Sequence, residues 1–336
     1  MQLVRQKDKF AMKRHRPGSR RRTGGGRRVP GTLRRRPALS VLAALLVAAA
    51  GSGCAAGVGS NGADGRAVEP PPARPGARAG QADPARALTA YAERMKRAQT
   101  ARVAAARKWG LAGTPLVAPA PPLEKPRITS RKGFEVEDDA SLPPVFTTVP
   151  TTERIVFLTM DDGAEKDPEL LRMMTELQIP YSAFLSDYEV NDNYGYFRDA
   201  QRRGVTINNH TLNHPYLPGL SYAAQKREIC GQQDIIEKQF GKRPTLLRPP
   251  YGNYNRATLT IAKSCGIRAV PLWAEEVFPD HMEYREWDRD LHPGDIILTH
   301  FRGRDEWKGS MPDLIRQVMK IVTAKGYAVA KLEDYV

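Results

Sequence analysis

The chain is short of cysteine, of aromatic residues and of long apolar runs, and each shortage excludes something. Three cysteines among 336 residues cannot build the disulfide framework on which small secreted domains with little core rely. Aromatic residues make up 7% and are scarcely interleaved with the dense basic residues, which sit before an apolar run, so a nucleic-acid-binding domain is not expected. The apolar stretch Pro37–Ala50 is 14 residues long, short of the ~20 that a transmembrane helix needs. Acids are absent where bases are dense: residues 1–36 carry 14 Lys/Arg and the single acid Asp8, so most of the net +15 lies there. No repeat of fixed period is visible.

A basic leader, a short apolar core and small residues after it predict a secretory signal. Gly51-Ser52-Gly53-Cys54 resembles a bacterial lipoprotein box, which implies lipidation at Cys54, although Gly51 departs from the Leu-like residue usual at the first position of that box. Cleavage near Ala56, with Cys54 discarded, is the alternative, and Met12 is a second candidate start. The predicted address is extracytoplasmic, as a membrane-anchored lipoprotein or secreted to the cell wall. With Cys54 processed, Cys230 and Cys265 remain, bound for a compartment where bridges persist. Spacing alone does not supply the Cα separation that pairing requires, so a bridge and two buried thiols stay equal.

Composition divides the rest. Residues 1–54 are the leader and signal. Residues 55–84, rich in Ala, Gly, Pro and Arg, cannot bury enough surface to order themselves and read as a tether. Residues 85–109 predict a basic, Ala-rich helix with a thin apolar stripe, a solvated stalk more readily than a helix lying on an anionic surface. Residues 110–152 are Pro-rich and irregular. From 153 to 336 the texture changes to strand–helix alternation. Ile155–Thr159 is a continuous apolar run suited to a strand buried on both faces, and short apolar runs recur at 181–185, 205–207, 245–247, 267–272, 296–299 and 327–330. Helical spacing occupies 168–177, 194–203, 222–240, 255–265 and 311–325. The alternation predicts a parallel α/β domain, a barrel or a doubly wound sheet.

Chemistry in such folds gathers where strands end, and four of these runs end in polar residues. The first ends in Asp161-Asp162-Gly163, adjacent carboxylates for which a cation is a natural partner. His210 and His214 follow the third; read as i and i+4 on one helical turn, they are close enough to share a metal. The fourth runs into Arg248-Pro249-Pro250-Tyr251, a rigid turn short of two donors. Leu298-Thr299-His300 closes another. Taken singly, each has a bland reading: a capped turn, two solvated histidines, a Pro-rich corner, a structural His.

In order, Thr159-Met-Asp-Asp-Gly163, His210-Thr-x-x-His214, Arg248-x-Pro-Tyr251 and Leu298-x-His300 resemble the NodB-type polysaccharide deacetylases, carbohydrate esterase family 4, over about residues 153–336. The resemblance implies a distorted, incomplete α/β barrel. Asp162, His210 and His214 would be metal ligands, with Asp161 the general base, Arg248 its orienting partner and His300 the acid. The Tyr251 N–H would join the oxyanion site, and Leu298 would line the acetyl pocket. Met160 stands where the family usually has Phe, and Glu276, after Trp273, where it has an Asp that tunes the acid. Trp273, Trp287 and Trp307 are stacking candidates for sugar rings. The expected cofactor is a divalent metal: zinc by resemblance, with cobalt or nickel as alternatives, and two His with one carboxylate also suit non-haem iron. The expected activity is metal-dependent removal of acetyl groups from N-acetylated amino-sugar polymers, peptidoglycan or chitin-like. An O-acetyl esterase on acetylxylan-type glycans and a catalytically silent glycan-binding lipoprotein are the alternatives. The expected partners are the acetylated glycan and, through Cys54, a membrane; no nucleic acid is expected, and the chain is expected to be a monomer.

Overall fold

The apolar run at Ile155 becomes the centre of a sheet because both of its faces are covered: all eight residues of Ile155–Asp162 are buried. The computed structural model describes residues 84–336, so Cys54, the signal segment and nearly all of the 55–84 tether lie outside it. In chain order come α1 (Pro84–Lys108), β1 (Val145–Phe146), β2 (Ile155–Asp162), α2 (Pro168–Leu177) and β3 (Ser182–Leu185). Next are α3 (Asp187–Val190), α4 (Tyr194–Arg202), β4 (Thr206–Asn209), α5 (Tyr222–Phe240) and α6 (Arg256–Ser264). The chain then forms β5 (Val270–Pro271), β6 (Glu275–Val277), β7 (Met282–Tyr284), β8 (Ile296–His300), α7 (Met311–Ala324) and β9 (Ala328–Ala330).

The main sheet runs β4-β3-β2-β8-β6-β7, with β9 also on β2; β7 alone is antiparallel. A second pair, β1 with β5, is parallel. Single bridges, Asn209↔Leu247 and Leu246↔Ala269, carry the curl from β4 toward β5. The fold is thus a distorted, incomplete α/β barrel whose weakest seam is the expected strand at 245–247. Prolines explain the seam. Pro244 precedes it, Pro249 and Pro250 follow, and each lacks the N–H a ladder needs. Three strands escape the apolar-run criterion: β1 lies in the segment expected to be irregular, β6 begins with two buried glutamates, and β7 is only three residues long with Glu283 exposed.

Helices end where local chemistry stops them. Asp167 caps α2, with Pro168 at its first position; Ser310 and Asp313 form a capping box on α7; Gly241 terminates α5 at φ 75°. The helix predicted over 85–109 runs Pro84–Lys108, and it is a free stalk only in its first half. Its last turns bury Arg102, Ala105 and Ala106. There Lys108 Nζ and Trp109 Nε1 both reach the Glu176 carboxylate, at 2.7 Å each. The irregular segment that follows packs as well, with Val136, Val145 and Val149 buried.

Cys230 and Cys265 are bridged, with Cα atoms 5.2 Å apart, inside the range disulfides occupy. The bridge joins α5 to the residue that ends α6. Serine at either position should lower stability by about 2–4 kcal/mol in denaturant melts run without reductant; equal midpoints for wild type and Cys230→Ser would show that packing alone holds the two helices.

Glu275 generates a second prediction. Burial, followed by the neighbouring charge of Asp295 and a hydrogen bond with it, pushes its carboxyl up to about 10. A raised folded-state value means the acid contributes most below its unfolded value and costs stability progressively as pH climbs toward 10. Glu275→Gln should therefore raise the melting temperature at pH 8–9 by a few degrees and flatten its decline from pH 5 upward, read by calorimetry across pH. A steeper decline in the variant would contradict the assignment.

Candidate active site

Parallel register brings the strand ends level. Asp161 on β2 lies opposite His300 on β8, and Glu276 on β6 lies opposite Leu298. Side chains alternate along a strand, so Thr159 and Asp161 share one face of β2, and Leu298 and His300 share one face of β8. After Asp161 the backbone turns sharply, with Asp162 at φ 72° and Gly163 at φ 99°. Position 163 admits only glycine, since a Cβ there would lie 2.4 Å from Val190 Cγ1.

The two histidines are not on a helical turn, and that expectation is corrected. Residues 210–216 form a loop with Thr211 at φ 70° and His214 at φ 52°. Buried side chains shape it instead. Asn209 Oδ1 accepts from Thr211 N at 2.8 Å while its Nδ2 donates to Ile229 O and to Gln233 Oε1. Thr211 Oγ1 accepts from His214 N at 3.2 Å, and Ser186 Oγ donates to His210 O at 2.8 Å. The loop brings the imidazole centroids to 4.8 Å. A helix would satisfy these backbone groups internally; this loop satisfies them with Asn, Thr and Ser side chains.

Asp162, His210 and His214 offer ligand atoms that all lie within 4.8 Å of one another. Asp162 Oδ1 is buried with no hydrogen-bond partner, and it sits 3.4 Å from His210 Nε2 and 3.5 Å from His214 Nε2. Ligands bound at ~2.1 Å in a tetrahedral set are separated by about 3.4 Å, so the three atoms suit a small divalent cation. The His210 Nδ1–H donates to the Arg248 carbonyl at 2.7 Å, which leaves Nε2 facing Asp162. Burial works to raise the Asp162 carboxyl, yet the surrounding imidazoles of His210, His300 and His214 outweigh it and hold it well below the usual carboxylate range. Burial and then the His210 charge press His214 down to about 3, whereas at His210 burial is outweighed by the carboxylates of Asp161 and Asp162, which raise it. As ligands both rings would be neutral, with the cation in place of that charge.

Asp161 belongs to a different partner. Arg248, 0% exposed, donates from Nη1 to Asp161 Oδ1 at 2.8 Å and to Thr159 Oγ1 at 2.9 Å. Its Nε donates to Pro271 O at 2.9 Å, and the guanidinium lies 4.4 Å from the Phe184 ring centroid. His300 faces the site from β8 with Glu276 Oε1 at 3.6 Å from its Nδ1, which is ion-pair range but longer than a hydrogen bond. Burial raises the Glu276 carboxyl above its ordinary value, with His300 opposing. Tyr251 occupies a turn at φ 60°, ψ 10°, its ring 4.6 Å from that of His214.

The remaining candidates separate. Leu298 is buried in the β8 wall. Trp273 packs against the turn, where a Cβ on Gly252 would lie 3.1 Å from its ring, and Trp307 lies 6.0 Å from His300. Trp287, 84% exposed, lines a cavity with Asp295 at the far end of β8 from His300 and is remote from the cluster. Two residues outside the sequence-predicted set, Asn209 and Arg302, complete the site, together with Thr159 of the first motif, whose hydroxyl accepts from Arg248. Asn209 adjoins His210 and Arg302 lies two positions past His300, a proximity that does not say which way either side chain turns.

A distorted, incomplete α/β barrel carrying a buried carboxylate, two imidazoles, a second paired carboxylate and a facing histidine defines a hydrolase-type centre. Residues 148–270 match the polysaccharide deacetylase family model. An uncharacterized protein of Streptomyces coelicolor is 35% identical over 217 residues, covering 64% of this chain and 86% of that protein. A peptidoglycan-N-acetylglucosamine deacetylase of Bacillus cereus is 28% identical over 195 residues, covering 52% of this chain and 88% of its own. A solved peptidoglycan N-acetylglucosamine deacetylase shares the fold, with a TM-score of 0.50 at 23% identity over 57% of this chain and 91% of that one. The chain belongs to the polysaccharide deacetylase family and is an enzyme of that class.

Removing Arg248 should expose the cost of a buried carboxylate without its partner. Arg248→Met is expected to destabilise the fold by about 3–5 kcal/mol in urea melts; wild-type stability would mean that Asp161 finds another donor.

Proposed function

We propose that this chain removes the N-acetyl groups of an extracytoplasmic amino-sugar polymer, with peptidoglycan the leading substrate, through a divalent metal held by Asp162, His210 and His214. The observation that carries the reading is the convergence of three ligand-type atoms with Asp161 and His300 at one end of the sheet. Zinc is the metal the donor set suits best, since imidazole and carboxylate in a closely spaced trio match its habits. The similarity to a protein named peptidoglycan-N-acetylglucosamine deacetylase supports the substrate class. The basic leader and apolar core before Cys54 support export, and the Cys230–Cys265 bridge suits an oxidising compartment. Within this reading the chain is either anchored as a lipoprotein at Cys54 or secreted to the wall.

An amide is a poor electrophile with a poor leaving group, so hydrolysis needs several groups at once. A bound divalent metal supplies Lewis acidity toward the carbonyl oxygen and lowers the pKa of water from ~15.7 toward ~7. The chain supplies the rest. Asp161 Oδ2 lies 3.7 Å from His210 Nε2, beside the ligand trio, and takes the proton of the attacking water. Arg248 holds Asp161 through Oδ1, which orients the base and leaves Oδ2 for that proton. His300, across the register from Asp161, delivers a proton to the departing amine. Glu276 Oε1 lies 3.6 Å from the Nδ1 of the ring that makes that delivery. We assign the oxyanion contact to the backbone N–H of Tyr251, whose ring lies 4.6 Å from that of His214; one such donor is commonly worth about 3 kcal/mol to an oxyanion.

Acetate release by the purified protein across peptidoglycan, chitin oligomers and acetylxylan tests the reading. Peptidoglycan or chitin oligomers should give acetate, chelation should abolish it, and added zinc should restore it. Asp161→Asn should cost at least ~100-fold, the lower bound for a lost general base. Turnover of acetylxylan alone would replace the N-deacetylase reading with an esterase, and undiminished release by Asp161→Asn would remove Asp161 from the mechanism.

A further inference from the structure

Arg302 lies two residues past His300, in the loop after β8, and its guanidinium is engaged at both ends. Nη2 donates to Asp162 Oδ2 at 2.6 Å. Nη1 donates to both oxygens of Glu306, at 2.7 and 2.6 Å. The loop itself is fastened to the aspartate pair: Phe301 N donates to Asp161 O at 3.1 Å, and Glu165 N donates to Phe301 O at 2.8 Å. Arg302 is therefore held in place from its backbone outward, by Glu306 on one side and by the β2 end on the other.

The two oxygens of Asp162 consequently have different neighbours. Oδ2 takes the guanidinium; Oδ1, buried and without a hydrogen-bond partner, faces the two histidine Nε2 atoms. A carboxylate with both oxygens available can hold a cation through one or both. Taking both would use a position that a hydrolytic site keeps for water or substrate. We propose that Arg302, braced by Glu306, is a positioning residue that reserves Oδ2 of Asp162 and so fixes Oδ1 as the single oxygen presented beside His210 and His214. The aspartate pair is then served by two separate guanidiniums, Arg248 on Asp161 and Arg302 on Asp162. The inference rests on the metal reading above and concerns how the site is tuned.

Two effects of opposite sign meet at Arg302. A fixed positive charge near a divalent ion weakens binding, whereas an oriented ligand strengthens it; partners of this kind typically contribute 10- to 100-fold in metal affinity. Orientation outweighs repulsion at this site. Zinc affinity of the purified protein, measured by competition with a chromophoric chelator, decides the sign, and the visible absorption of the cobalt-loaded protein reports coordination number. Wild type should bind one equivalent. Arg302→Ala should bind 10- to 100-fold more weakly, with weaker cobalt absorption as a further ligand enters. Arg302→Lys should recover part of both, and Glu306→Gln should give a smaller loss in the same direction. Thermal melts of the metal-free variants separate these effects from misfolding, and Glu306→Gln, on a more exposed side chain, keeps the test open should Arg302→Ala fold poorly. Unchanged or tighter zinc binding in Arg302→Ala, with an unaltered cobalt spectrum, would overturn the role of Arg302 while leaving the metal reading intact. A wild-type protein that takes up no metal would overturn both.

Discussion

The ion pair between Arg248 and Asp161 is the constraint on which the rest of the site depends. Both side chains are essentially excluded from water, where either charge alone would be costly. Their mutual hydrogen bond, with Thr159 Oγ1 and the carbonyls of Pro271 and Leu272 completing the donor set of Arg248, makes a charged interior tolerable. The same arginine contributes its own carbonyl to His210. One residue thus orients the base through its side chain and a metal-ligand imidazole through its backbone. It arrives there from the weakest seam of the barrel, held by single bridges rather than a ladder, so its many hydrogen bonds also secure that seam.

The sheet supplies the precision that the loops lack. β2, β3, β4 and β8 are parallel and in register, so residues far apart in sequence finish at one level. The loops then add short, side-chain-directed turns, of which Asn209 and Thr211 are the clearest case. Rigid strand ends with polar loops seated on them are the general plan of sites in parallel α/β folds.

Much of this was legible in the residues, and the failures have physical causes. β2 and the helices at 168–177 and 222–240 could be read directly, because their apolar spacing and caps agree with their burial. β6 and β7 could not, because the buried Glu275 and Glu276 give no apolar run, and their burial depends on neighbours distant in sequence. The motif residues Asp161, Asp162, His210, His214, Arg248 and His300 do converge, but the route differs: the histidine spacing suggested a helical turn where buried hydrogen bonds impose a loop. Arg302 was illegible because an exposed-looking Phe-Arg-Gly-Arg stretch carries no sign of which arginine turns inward. The packing of α1 was missed for a related reason. Its buried face is made of alanines and the stem of Arg102, which contribute little to an apolar stripe.

Four of the non-glycine residues with left-handed backbone are at or beside the site: Asp162, Thr211, His214 and Tyr251. Aspartate and histidine visit that region with modest penalty, while threonine, branched at Cβ, does so rarely. Substitution tolerance here is therefore governed by backbone shape before chemistry. Most residues placed at 211 would be rejected for their geometry alone, whatever their polarity, and glycine, which fits the backbone, would forfeit the hydroxyl that receives the His214 amide. The neighbourhood of the histidine pair is in that sense a narrow region of sequence space, where drift is limited by torsion angles rather than by contact with substrate.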